Sequence, residues 1–194
     1  MLLISLAWTV ALVAAPLTIA SGSVTGLNGA ANRIDYSSLW GTLPPTQGFV
    51  YLLGDIECHQ IASRTIFING NEMPVCARDA SLFFFLTLGF LLASVVTPRA
   101  YVSWAIVGLL PGRIRSKLEK GSRPMLFTWV LGILSVAPVG IDGGVQLLTS
   151  YESNNVLRFL TGIPAGIFIG LAIGLMVQSL HVLNSWRPQA ESGT

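Results

Sequence analysis

Charged side chains are scarce in this sequence. Of its 194 residues only 10% are charged, whereas 52% are hydrophobic, and the mean hydropathy is +0.67. Soluble domains carry about 25% charged residues. The shortage therefore excludes an ordinary soluble domain and indicates an integral membrane protein. The net charge of +2 is too small to indicate nucleic-acid binding, so we expect no nucleic-acid partner.

Cysteine and histidine are also rare, with two residues of each. Two cysteines are too few for a disulfide scaffold and need a local explanation. No nucleophile motif or phosphate-binding loop occurs, and Gly140, Gly143 and Gly144 lie inside a predicted membrane helix rather than between a strand and a helix. The sequence therefore names no substrate.

Four stretches are apolar enough to cross a bilayer, which takes about 20 helical residues. They are residues 1–20, 81–96, 124–149 and 156–183. The predicted fold class is an all-α membrane protein, a single domain over residues 1–194, with four transmembrane helices, an interfacial helix and a small β-hairpin. The first stretch also fits a cleaved signal peptide, although it lacks a basic start and matches a cleavage site only roughly.

Seven of the basic residues lie after the second or fourth predicted span, and such residues favour the cytoplasmic side. They are Arg99, Arg113, Arg115, Lys117, Lys120, Arg123 and Arg187. We therefore expect a multi-pass protein of the cell membrane, with residues 97–123 and both termini cytoplasmic and residues 21–80 forming an outer loop. Residues 101–110 are predicted to form the interfacial helix, and the alternative is one long helix kinked at Pro98.

The outer loop contains both cysteines. Residues 21–57 are predicted to be loop with one short interfacial helix. The stretch after Arg64 fits a β-hairpin, because Asn69-Gly70 supplies the positive φ angles of a type I′ turn. Such a hairpin would bring Cys76 back toward Cys58 and His59.

Several motifs occur in an order that resembles the domain of unknown function 2085 family of predicted integral membrane proteins. They are Cys58-His59-Gln60, Arg64, Pro74–Arg78, Pro138, Asp142-Gly143, Gln146 and Ser153–Gly162, within residues 50–175. The family usually has Cys-x-x-Cys where this chain has Cys76-Ala77-Arg78-Asp79. The resemblance implies a four-helix-like membrane fold and no particular function.

The two cysteines have three interpretations. Zinc accepts thiolate, imidazole and carboxylate ligands, so Cys58, His59, Cys76 and Asp79 form a candidate metal site. A Cys58–Cys76 disulfide is the alternative, since oxidation is permitted outside the membrane, and it would stabilise the loop by about 3 kcal/mol. The third interpretation is thiol redox chemistry, which is less well supported because the chain lacks Cys-x-x-Cys, or simple packing of the two thiols.

Asp142 is the only acid inside a predicted span, and an intramembrane charge indicates a functional site. Counting residues places it near Arg158 and near the outer end of the second span, where Arg78 lies. We therefore name Asp142, Arg158 and Arg78 as candidate catalytic residues, with Asp142 as a general base or ligand and the arginines holding an anionic group. Candidate binding residues are Gln146, Asn154, Asn155, Thr161 and Arg64. The alternative is an Asp142–Arg158 ion pair that only fixes helix packing.

These residues predict a polar pocket at the outer leaflet, capped by the Cys/His loop. It would belong to a metal-dependent enzyme or to a binder of a lipid headgroup or other membrane substrate. The alternative is a non-catalytic subunit or small transport component, with membrane protein partners and a Cys58–Cys76 disulfide. In the fourth span, glycines recur every fourth residue from Gly162 to Gly174. This spacing predicts close helix contact, within the bundle or between two copies.

Overall fold

A computed structural model describes residues 1–30, 32–121 and 123–191, which form helices and one two-stranded sheet. The helices are α1 Leu2–Thr18, α2 Ser37–Trp40, α3 Pro45–Glu57, α4 Ala77–Val95, α5 Val102–Gly108, α6 Gly112–Lys120, α7 Pro124–Leu148 and α8 Asn155–Glu191. The strands are β1 Thr65–Ile68 and β2 Asn71–Cys76.

Three of the helices, α4, α7 and α8, are long and apolar enough to cross a membrane, whereas α1 has 17 residues and is a shorter apolar helix. The protein is thus a membrane protein with three candidate spanning helices, and the fourth predicted span is not confirmed. Helix α4 begins at Ala77, four residues before the predicted span, so Arg78 and Asp79 belong to its first turn.

The glycines of α8 form the contact with α4. A side chain at Gly166 would place its Cβ 2.7 Å from the carbonyl oxygen of Leu82, and one at Gly174 would clash with Ala93. Because successive glycines along α8 meet successive residues along α4, the two helices run parallel. The predicted close contact therefore occurs within the bundle, where missing side chains let the two backbones approach.

Helices α1 and α7 run antiparallel to this pair. The hydroxyls of Ser5 and Thr9 on α1 lie 2.7 and 2.9 Å from the Thr87 hydroxyl on α4. At the other side of the bundle, Leu171 and Leu175 of α8 pack with partly buried Phe127 of α7. The beginning of α1, the end of α4 and the helices α5 and α6 therefore lie at one end of the bundle.

The opposite end carries a folded cap, which comprises α2, α3 and the β1–β2 hairpin with the described segments between them. This differs from the predicted loop with one short helix. The reason is a buried carboxylate: Asp55 accepts hydrogen bonds from Trp40 Nε1 at 2.8 Å and from the backbone N–H of Tyr36 at 3.1 Å. The Trp40 ring stacks on Tyr51 at 5.0 Å. Tertiary contacts thus order a segment whose local sequence favours turns.

The predicted hairpin is present, with antiparallel pairing of β1 and β2. Its turn has φ values of 54° at Asn69 and 73° at Gly70, as the type I′ prediction requires. At the other end of the bundle, α4 stops at Val95, so the kinked-helix alternative is wrong. The predicted interfacial segment instead forms two short helices, α5 and α6, because Pro111 begins a new helix rather than continuing the first.

Candidate functional site

A polar cavity of about 480 Å³ lies between the cap and the ends of α4, α7 and α8. One wall is made of thiols and acids, which come from the end of α3, the end of β2 and the first turn of α4. We call this the thiol wall: Glu57, Cys58, Cys76 and Asp79. A second group of lining residues, which we call the basic wall, comprises Arg64, Arg78, Gln146 and Arg158. The cavity is thus lined both by groups that attract cations and by groups that attract anions.

The two cysteines meet on the thiol wall because the hairpin folds β2 back against the end of α3. Both are free thiols. The backbone N–H of Cys76 donates to Cys58 Sγ at 3.3 Å, and the Cys76 thiol donates to Asp79 Oδ2 at 3.1 Å. Asp79 reaches this position because three residues separate it from Cys76, about one helical turn.

The thiol wall also has perturbed acidities. The side-chain hydrogen bond with Cys76 lowers the pKa of Cys58, and the same contact together with burial raises the pKa of Cys76 well above its ordinary value. Burial, followed by the nearby charge of Asp79, raises the pKa of Glu57. Cys58 is therefore the thiol that ionises first, and a thiolate is the form that binds metals.

The ligand atoms of Cys58, Cys76 and Asp79 all lie within 4.8 Å of one another. Ligands of a tetrahedral zinc ion lie roughly 3.3–3.8 Å apart, given bond lengths of 2.0–2.3 Å. A small inward shift would therefore place all three on one ion. The fourth predicted ligand, His59, lines the same cavity but is exposed at its mouth and stands outside this cluster.

On the basic wall, Arg78 forms an ion pair with Asp142, whose side chain is 5% exposed. Asp142 does not pair with Arg158, so the predicted ion pair between those two residues is wrong. Because α4 begins at Ala77, Arg78 lies in its first turn and reaches Asp142 on α7 in place of Arg158. Gly143 lies beside this contact, since a Cβ there would be 3.4 Å from Arg78 Nη1, an ordinary van der Waals distance.

Arg64 and Arg158 meet around Gln146. With its amide oxygen turned toward them, Gln146 accepts from Arg64 Nη2 at 2.9 Å and from Arg158 Nη2 at 3.3 Å. Arg64 also pairs with Glu152 at 3.0 Å, at the exposed edge of the site. One amide oxygen shared by two guanidinium groups neutralises neither charge.

Arg158 is the most unusual of these residues because it is only 2% exposed. Its Nη1 donates to Asn155 Oδ1 at 3.2 Å. Among the residues that the structure describes, none places a carboxylate oxygen within 4.0 Å of its guanidinium group. Buried charges in proteins are normally paired with an opposite charge. Among the described residues, Arg158 lacks such an anionic partner.

The remaining predicted binding residues lie behind the cavity or beside it. Asn155 holds Arg158 and also donates to the carbonyl of Thr65 at 2.8 Å, which ties α8 to the hairpin. Asn154 caps α8 by accepting from the N–H of Leu157 at 2.8 Å. Thr161 donates to the carbonyl of Arg158 at 3.1 Å, within the helix. Asn154 and Thr161 are therefore not among the residues that line the cavity.

Two acids near the cavity were not predicted from the sequence. Glu57 lines the thiol wall, and its only sequence signal is its position next to Cys58. Glu152 pairs with Arg64, which lies 88 residues earlier in the sequence, and no local sequence pattern predicts that contact. Asp142, by contrast, was predicted, but it lies behind Arg78 rather than among the residues that line the cavity.

Comparisons with known proteins match the part of the chain that builds this cavity. The family described as "Predicted membrane protein (DUF2085)" matches residues 58–172. An uncharacterized protein of Methanothermobacter thermautotrophicus is 34% identical over 116 residues, which is 60% of this chain and 81% of that protein. An uncharacterized protein of Methanocaldococcus jannaschii is 32% identical over 120 residues, covering 62% of this chain and 63% of that protein. No solved structure matches. The chain therefore belongs to the DUF2085 family of predicted membrane proteins.

Proposed function

We propose that this protein binds an anionic group, of the phosphate or carboxylate class, in the cavity beneath its cap. The observation that carries the proposal is the buried Arg158, which has no carboxylate within ion-pair distance among the described residues. A buried charge without a partner costs several kcal/mol. An anion bound between Arg158 and Arg64 would relieve that cost, and Gln146 already holds both guanidinium groups toward one point.

A zinc ion on Cys58, Cys76 and Asp79 would complete the site. Three protein ligands leave a fourth position open, as in catalytic zinc sites. When bound there, the metal would supply Lewis acid polarisation of an oxygen on the anion. Arg78 of the basic wall, held in place by Asp142, would orient that anion. This arrangement supports a metal-dependent enzyme acting on a membrane-associated substrate.

The cavity would lie at the outer leaflet in a four-span topology with both termini in the cytoplasm. Helix α1 supports this as the fourth span. Its 17 residues are at the short end of the range of about 17–25 that can cross a bilayer. The Ser5 and Thr9 hydroxyls meet Thr87 inside the helix pair, as polar residues do between membrane helices. The basic residues of α6 then lie on the cytoplasmic side.

The anion site is tested by replacing Arg158 in the full chain. Arg158→Gln removes the charge and keeps hydrogen-bonding capacity. We expect the affinity for glycerol 3-phosphate, measured by titration calorimetry in detergent, to fall on the order of 30-fold or more, since losing one partner of a buried charge pair costs about 2–5 kcal/mol. Arg113→Gln, which alters an exposed arginine of α6, is the matched control and should bind as the wild type does.

Wild-type protein that binds no phosphate or carboxylate compound would contradict the anion site. So would an Arg158→Gln variant that binds as tightly as the wild type. Arg158→Lys separates charge from geometry: it should retain part of the affinity, because lysine keeps the positive charge but loses the planar, two-point donor.

A second candidate function is a non-catalytic subunit or transport component with a structural disulfide. The contact between the Cys76 N–H and Cys58 Sγ favours it, because the two thiols are already neighbours. Elemental analysis of protein purified without metal-affinity resin, together with a thiol count, decides between the two candidates. The metal proposal expects about one zinc per chain, lost in Cys58→Ser and in Asp79→Ala. Metal-free protein without titratable thiols would support the disulfide instead.

A further inference from the structure

We infer that the anion is the headgroup of a phospholipid, and that one of its hydrocarbon chains lies in an apolar groove running from the cavity between α1, α4 and α8. The inference rests on the proposed function, because it takes the anion site in the cavity as the binding place of the headgroup. It adds the chemical class of the ligand and its route of entry, which is sideways from the bilayer.

The groove begins where the polar cavity ends. A recess of about 340 Å³ shares Glu57 and Asp79 with the cavity and is otherwise apolar, lined by Leu82, Phe83, Leu86, Gly166 and Ile169. Both acids belong to the thiol wall, so this recess adjoins the cavity there. The lining residues therefore change from charged side chains in the cavity to hydrocarbon side chains in this recess.

A second recess continues the first one toward the middle of the bundle. Its volume is about 450 Å³, and it shares Glu57, Phe83 and Leu86 with the first recess. It is lined further by Trp8 of α1 and by Ile173 of α8. Because Glu57, Phe83 and Leu86 line both recesses, the two form one groove.

The length of this groove matches one leaflet. From Leu82 to Phe90 on α4 the groove extends about 12 Å, at 1.5 Å per residue. A single leaflet of the hydrocarbon core is about 15 Å thick. The cavity lies at the start of α4, so a lipid with its phosphate at Arg158 would have its chain alongside Leu82, Leu86 and Phe90.

Charge and shape, not hydrophobicity, would select this lipid. Lipid tails are as apolar as the groove, so burying a chain there brings no hydrophobic gain over the bilayer. Arg158, which has no carboxylate partner among the described residues, would prefer an anionic headgroup, and the groove would position the chain that is attached to it. Filling the groove should therefore exclude the lipid while leaving a chain-free headgroup able to bind.

The test compares two ligands and two matched variants of the full chain in detergent. Leu86→Trp fills the groove where the two recesses join. Leu92→Trp is the control, since Leu92 lies on the same helix, is 37% exposed and lines neither recess. Native mass spectrometry measures binding of phosphatidic acid, with zwitterionic phosphatidylcholine, whose headgroup has no net charge, as the comparison. Calorimetry measures binding of glycerol 3-phosphate.

We expect Leu86→Trp to lower the affinity for phosphatidic acid about tenfold or more without changing that for glycerol 3-phosphate. Leu92→Trp should leave both unchanged, and Arg158→Gln should lower both. Equal binding of phosphatidic acid by Leu86→Trp and wild type would overturn the groove while leaving the anion site standing. Wild-type protein that binds neither ligand would overturn the anion site itself.

A measurement on the wild type covers the case in which Leu86→Trp does not fold. Phosphatidic acid carrying a photoreactive diazirine on its chain is crosslinked to the protein in phosphatidylcholine vesicles, and the labelled residues are mapped by mass spectrometry. The groove predicts labels at Leu82, Leu86 and Ile169. Labels confined to the exposed face of α7, at Ile133 and Leu134, would overturn the inference.

Discussion

At the scale of single residues, buried polar groups hold the cap together. Glu72 is completely buried, and its Oε1 accepts from the backbone N–H of Leu27 at 3.2 Å. Its Oε2 has no hydrogen-bond partner among the described residues. Gln60, in the Cys-His-Gln motif, is 1% exposed and donates to the carbonyl of Pro74 at 2.8 Å. The glutamine of that motif therefore has a structural role beside the two candidate ligands.

Glu72 leads to a prediction about pH. Burial raises its pKa, so the folded state favours the neutral carboxyl. That contribution to stability is complete below the ordinary pKa of glutamate and is lost as the pH rises through the raised value. Glu72→Gln cannot ionise, and its amide oxygen can still accept from Leu27. We therefore expect the melting temperature of the variant, relative to the wild type, to rise as the pH increases from the ordinary pKa of glutamate through the raised one.

The pH comparison is made by thermal denaturation of both proteins in the same detergent, so that other titrating groups cancel in the difference. A difference that stays constant across this range would show that Glu72 does not titrate with folding.

At the scale of elements, the parallel contact between α4 and α8 sets the spacing of the bundle. Its glycines allow the approach that places Arg78 of α4 and Arg158 of α8 in the same cavity. The glycine at every fourth position of α8 predicted a close helix contact, because residues i and i+4 share one helix face. Only the structure identified α4 as the partner helix, since the repeat carries no information about what faces it.

A side chain at Gly166 should separate these two helices. In Gly166→Ala the new Cβ would lie 2.7 Å from the Leu82 carbonyl oxygen and 2.9 Å from Phe85 Cβ. Overpacking of this kind costs about 1–3 kcal/mol. We expect the melting temperature to fall by about 2–12 °C, since each kcal/mol corresponds to about 2–4 °C in a protein of this size.

Gly140→Ala on α7 is the matched control, because nothing lies within 4 Å of a Cβ at that position. This variant should be as stable as the wild type or slightly more stable, given the higher helix propensity of alanine. Equal losses in both variants would mean that general helix effects, rather than the α4–α8 contact, determine the result.

At the scale of the whole molecule, the cap and the pair α5–α6 lie at opposite ends of the bundle. If the proposed topology is right, they are exposed on opposite sides of the membrane. Ser38 of α2 and Ser116 of α6 are both exposed and suit single-cysteine labelling. In intact cells, a membrane-impermeant maleimide should label Ser38→Cys, whereas Ser116→Cys should react only after the membrane is permeabilised.

Labelling is measured in a Cys58→Ser, Cys76→Ser background, in which these positions supply the only thiols of the chain. The reverse pattern would invert the orientation derived from the basic residues. Labelling of both positions in intact cells would rule out a membrane crossing between them.

Composition and local pattern determined much of this protein. The shortage of charge determined that it is a membrane protein, and apolar length located α4, α7 and α8 within a few residues. The Asn69-Gly70 pair determined the hairpin turn. These features depend on neighbours in sequence, so the sequence alone was enough to predict them.

Only the tertiary structure decided which charges meet. The sequence suggested Asp142 with Arg158, but the early start of α4 brings Arg78 to Asp142 and leaves Arg158 without a carboxylate among the described residues. The cap likewise folds because Asp55 collects donors from distant residues. Such pairings depend on how elements that are far apart in the sequence are placed in space. A local sequence pattern contains no information about that placement.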